Sequence, residues 1–180
     1  MGPRRARRAL AAVALGACLL SAPGMAAEGA ERYDHQGSAC AVLSPGAAWA
    51  ASSSSAAVPA MGARWSALLG GGLAIDDVGR ELLLLVRASG RGTAVDAAAL
   101  VGFRSYFGHE RLRTFVDLQL AVPFWPMLLA GPRLGAGVQY ELAPVAGAFC
   151  AASAQLGLGP AFLFAGDLFC GLQLRSYLLQ

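Results

Sequence analysis

The chain has 180 residues, enough for one domain and little more, with 56% hydrophobic and only 14% charged residues. Lysine is absent, so all fourteen basic residues are Arg; four of them (Arg4, Arg5, Arg7, Arg8) lie in the first eight positions, leaving ten against eleven acids. A body without net positive charge carries no nucleic-acid footprint, because a basic patch or stripe would be the first requirement.

Arg4–Arg8 form a basic n-region, Ala9–Leu20 an apolar h-region and Ser21–Ala27 a small-residue c-region containing Pro23. Together, residues 1–27 read as a secretory signal peptide cut near Ala26 or Ala27. A retained anchor helix is a second reading, although the apolar run is shorter than the ~20 residues a spanning helix takes. A third is a lipoprotein signal, in which Leu15-Gly16-Ala17-Cys18 directs acylation of Cys18. All three readings take the chain out of the cytoplasm.

Residues 28–62 are polar at first and then an Ala/Ser tract with Ser52–Ser55 in a row. Such composition buries little and reads as a flexible arm or linker. A strand could hide around Ser38–Leu43, but its signal is poor. Residues 63–180 are the predicted β-barrel domain. Trp65–Ile75 alternates, Asp76–Gly79 has Asp/Gly turn chemistry, and Glu81–Arg87 is a strand with apolar residues on both faces. Ala88–Asp96 is a predicted loop, Ala97–Phe107 a third strand and Gly108–Arg111 a turn. Gly70-Gly71-Gly72 precedes no helix signal and reads as glycine that lets a tightly curved sheet pack closely.

The clearest pattern covers residues 112–179, which predict four more strands. Val116, Leu118, Leu120, Leu134, Val138, Leu156, Leu168, Leu172 and Leu174 share one parity. The opposite parity carries Asp117, Gln119, Arg133, Gln139, Glu141, Gln155, Asp167, Gln173 and Arg175, and Arg104 has the corresponding place on the preceding strand. Period-two alternation puts the two sets on opposite faces of a pleated sheet. Short strands at near-regular spacing, joined by Gly, Pro and Asp, predict an all-β antiparallel up-and-down barrel. Seven strands are convincing. A closed single-chain membrane barrel has an even number, with eight as the minimum, so an eighth is expected from residues 37–50.

Alternation alone does not say whether the apolar face meets lipid or forms a soluble core. The opposite face lacks the Lys/Glu wealth of a solvated surface, aromatics stand near strand ends (Trp65, Phe107, Phe124-Trp125, Tyr140, Phe162, Phe164, Tyr177), and an export signal precedes the strands. On these features residues 64–179 resemble the small outer-membrane β-barrel proteins of Gram-negative bacteria, chiefly in Gly131–Leu142, Val145–Leu158 and Asp167–Leu179. The resemblance implies insertion in the outer membrane, contact with its lipid, delivery by the barrel assembly machinery, and both termini on the periplasmic side. The end, Tyr177-Leu178-Leu179-Gln180, departs from the family habit of a terminal aromatic residue. The alternative is a soluble or lipid-tethered periplasmic or secreted barrel that binds an apolar ligand.

The ten inward polar residues are the candidate site, a polar network in the lumen. They read as a gate in a small pore or as a plug of salt bridges, and a narrow eight-stranded barrel favours the plug. If the last hairpin is centred near position 160, Cys150 and Cys170 fall opposite each other. They are then a disulfide, which export permits, or two small apolar residues on an apolar face. His109 near Ser105, Glu110 and Arg111 is the one place to look for a lipid-modifying hydrolase, but ~13 Å of extended strand separates Ser105 from His109. His35 lies in the polar arm. Neither catalysis nor a metal or other cofactor is expected.

Overall fold

The computed structural model describes residues 38–57, 61–75, 80–108 and 111–177. Eight strands close into one antiparallel barrel, each paired with its neighbours in sequence and β8 paired back to β1. They are β1 (Ser38–Ser52), β2 (Gly62–Ala74), β3 (Arg80–Arg91), β4 (Ala94–Phe107), β5 (Leu112–Trp125), β6 (Gly131–Ala143), β7 (Ala146–Gly157) and β8 (Leu163–Tyr177). The proposed signal peptide, Cys18, His35 and His109 lie outside the described residues.

The barrel begins well before residue 63. Much of the Ala/Ser tract read as an arm is β1, and small side chains are what its position demands. A Cβ at Gly46 would stand 2.3 Å from the Leu168 carbonyl oxygen and 2.6 Å from the Phe169 ring, which fills the lumen from β8. Low complexity here reflects close packing against a bulky neighbour. The inward Gly70 and Gly72 of β2 do the same for β3: their Cβ atoms would fall 2.9 Å and 2.6 Å from the side chains of Leu85 and Leu83.

The predicted loop Ala88–Asp96 is a second correction. Pairing of β3 with β4 runs on to Arg91↔Ala94, so the connection is only Gly92-Thr93. Gly92 has φ +61°, a left-handed turn conformation that glycine adopts without a Cβ penalty. The ladder continues because inward Ser89 donates to Asp96 Oδ1 at 2.7 Å, giving two residues that look like loop polarity a lumen partner.

The apolar parity of β5–β8 points outward. Leu118 and Leu134 are each 58% exposed, Leu172 is 50% exposed, and Leu69, Leu84 and Leu43 extend the belt over β2, β3 and β1. Water does not solvate a continuous apolar belt around a closed sheet; a bilayer does. Closure leaves no strand edge, which a chain crossing hydrocarbon requires. The β1–β8 pairing is interrupted only between Leu43↔Leu172 and Gly46↔Phe169, at Ser44 and Pro45.

Candidate functional site

The inner face is a packed interior divided between apolar and polar side chains. Val42, Leu68, Leu83, Leu85 and Leu100 line the wall made by β1–β4, and the Phe115, Phe149 and Phe169 rings fill the space opposite. This apolar wall explains why β3 reads as apolar on both faces: Leu82 and Leu84 meet the outside while Leu83 and Leu85 are fully buried. All ten sequence-predicted polar residues (Arg104, Asp117, Gln119, Arg133, Gln139, Glu141, Gln155, Asp167, Gln173 and Arg175) are buried inside. They form three groups along the axis.

Near the chain termini, Glu141 is the hub of the first group. It accepts from Arg175 Nη1 at 2.9 Å, from Gln139 Nε2 at 2.8 Å and from Arg113. Gln173 Nε2 donates to Glu81 Oε2 at 2.8 Å. The Tyr106 hydroxyl lies 2.9–3.1 Å from Gln173 Oε1, Gln139 Oε1 and Glu81 Oε2, and its one proton serves one acceptor at a time.

Mid-barrel, Arg104 donates to both oxygens of Asp117, Nε at 2.7 Å and Nη2 at 2.9 Å. This is the planar two-pronged geometry that suits guanidinium to carboxylate. The guanidinium also lies 3.9 Å from the centroid of the Phe115 ring, whose face attracts a cation.

Toward the loop end, Asp96 accepts from Arg64, from Arg87 Nη2 at 3.3 Å and from Ser89. Asp167 accepts from Arg87 Nη1 at 3.2 Å, and Arg133 donates to Ser153 Oγ at 2.7 Å and to Gln119. Gln155 stands beside Arg133 in register and is completely buried. Above this group, Ala57, Leu129 and Ala161 from three loops pack with Ala50, Leu163 and Ala165 as an apolar lid. A cavity lined by Arg64, Arg87, Asp96, Pro123 and Trp125 has a volume of about 10 Å³, room for about one water molecule.

Sequence reasoning missed Arg64, Glu81, Arg87, Asp96, Tyr106 and Arg113 as network members. Parity was the available signal: Glu81 and Arg87 share a face across six positions, and Tyr106 shares one with Arg104. Among the described residues no cluster of three His, Cys, Asp or Glu could hold a metal ion. Ser105 is on the outer face of β4 with Val101 and Phe103, outside the lumen network. Cys150 and Cys170 lie directly opposite each other on the outer surface, Cα atoms 4.1 Å apart and sulfurs bonded. Cys40 is a free thiol.

No protein-family model matches the chain, and neither does any curated protein. Solved structures do. Neisserial surface protein A superposes with a TM-score of 0.57 at 15% identity, over 82% of this chain and 99% of its own. The N-terminal β-barrel domain of Pseudomonas aeruginosa OprF gives 0.53 at 17% identity, over 78% of this chain and 98% of its own. This eight-stranded chain thus has the fold of the small outer-membrane β-barrels of Gram-negative bacteria, to which its alternating strands bear a resemblance.

Proposed function

We propose that the protein is an outer-membrane barrel with a structural or surface-interaction role, its lumen a side-chain plug and not a channel. The observation that carries this reading is the ion-paired interior. Buried acids at both ends and the middle of the barrel each face Arg, and aromatic rings and an apolar lid take up the remaining space. A buried charge is tolerable only when paired and hydrogen-bonded. A lumen built in this way resists the passage of a hydrated ion, because every pair that parts to admit it leaves a charge uncompensated. The partners in this reading are outer-membrane lipid around the belt and the assembly machinery during insertion.

The alternative, a soluble or lipid-tethered barrel holding an apolar ligand, has less support. Its ligand would need an apolar cavity where charges and rings now pack, and its surface would be the exposed Leu belt. The deciding experiment expresses the chain with its own leader in a Gram-negative host, isolates outer membranes and runs SDS gels with and without boiling. Recovery in that fraction with a boiling-dependent shift, and no resolved conductance steps in planar bilayers, is the expected result. A soluble periplasmic protein without a shift would overturn the membrane reading, and steady conductance would overturn the plug.

A further inference from the structure

We infer that the Cys150–Cys170 bond is made in the periplasm, before the barrel enters the membrane, and that it ties β8 to β7 at the level where β8 lacks a partner on β1. The inference rests on the outer-membrane reading above. Both cysteines belong to the outer apolar surface, with Leu168 and Leu172 flanking Cys170 and both exposed. Exchange between thiols and disulfides proceeds through the thiolate, a charged form that hydrocarbon does not solvate. Once the belt is in lipid, the two sulfurs are out of reach of the water-borne oxidants that could join them. The bond must therefore precede insertion.

The position along β8 gives the bond a task. A Cα separation of 4.1 Å marks Cys150 and Cys170 as a non-hydrogen-bonded pair. The backbone N–H and C=O of Cys170 are thereby directed to the other side, at β1. There the ladder stops, because the residue opposite Cys170 in register between Leu43↔Leu172 and Gly46↔Phe169 is Pro45. Proline has no N–H to offer the Cys170 carbonyl, and in lipid no water replaces it. At the closing seam, the last strand loses a ladder bond on one side and gains a covalent one on the other.

The chemistry is ordinary exchange with a periplasmic dithiol oxidase in its disulfide form. One cysteine thiolate attacks that disulfide and displaces one oxidase thiolate, giving a mixed disulfide. The second cysteine thiolate then displaces the other oxidase sulfur. The chain loses two electrons and two protons, and the oxidase is left as a dithiol.

The test follows the full chain with its own leader through a pulse and chase, with thiols trapped by a maleimide polymer and barrels scored by the boiling shift. Wild type should gain two further adducts on reduction before the heat-shifted form appears. Cys150→Ala/Cys170→Ala should reach the shifted form several-fold more slowly, and adding Pro45→Ala, which restores the N–H, should recover most of the rate. Two free thiols beyond that of Cys40 in the shifted barrel, closure after the shift, or no recovery by Pro45→Ala would overturn the inference while leaving the membrane reading intact. A soluble wild-type chain that never shifts would overturn both.

Discussion

Leu118→Arg tests the direction of the belt most sharply. Leu118 is in the middle of β5, 58% exposed, and pairs across the sheet with Phe103 and Leu134, which are 50% and 58% exposed. In a bilayer this site is near the midplane, where an outward Arg costs ~2–4 kcal/mol. At about 1.4 kcal/mol per tenfold, that lowers the folded-to-unfolded ratio by roughly 30-fold to several hundred-fold. Against a typical total stability of about 5–15 kcal/mol, the variant should still fold, with a clearly reduced midpoint. The assay is urea titration in lipid vesicles, scored by the fraction of chain that keeps its boiling-dependent mobility. The matched control is Thr93→Arg in the β3–β4 turn, where the same side chain reaches the interface and costs ~0–1 kcal/mol. Equal midpoints for Leu118→Arg and wild type, or equal losses in the two variants, would refute the placement of lipid against this face. On a water-facing surface Leu118→Arg would be neutral and would raise solubility.

Three further outcomes follow from the interior. Glu141→Ala leaves Arg175 and Arg113 buried without their shared carboxylate, and the loss should be about 3–5 kcal/mol in the same titration; a change under 1 kcal/mol would show that the network yields without cost. Asp117→Asn keeps the shape of the mid-barrel pair but removes its charge, so it should destabilise less than Asp117→Ala, and the reverse order would refute the paired role of Arg104. Gly70→Val sets a branched side chain where even a Cβ would be 2.3 Å from the Leu84 carbonyl. It should give no heat-shifted band, and a normal band would mean that β2 and β3 can separate there.

The alternation of β5–β8 made the barrel legible because in those strands the outer residues are bulky and apolar while the inner ones are charged or amide. That contrast fades in β1–β4. On β3, Leu83 and Leu85 fill the lumen while Leu82 and Leu84 meet the outside, so the inward face is betrayed by Glu81, Arg87 and Ser89 and not by its apolar residues. On β1, Ala48 and Ala50 are inward and Ala47 is outward, and small residues on both faces leave no period to read. The strand becomes intelligible only against Phe169, a neighbour 123 residues on from Gly46 in the chain but next to it in the sheet. The ten inward residues of the candidate site could be listed from parity alone. Their partners could not, because Asp167 with Arg87 and Arg175 with Glu81 join strands that only closure of the sheet brings face to face.

All three Trp of the chain are at the loop end: Trp49 near the close of β1, Trp65 near the start of β2 and Trp125 at the last position of β5, each between 45% and 61% exposed. Intrinsic fluorescence of this protein is therefore a one-sided reporter. Lipids carrying a quencher in a single leaflet would darken it or leave it bright according to which way the barrel has entered, so the chain records its own orientation without an added label.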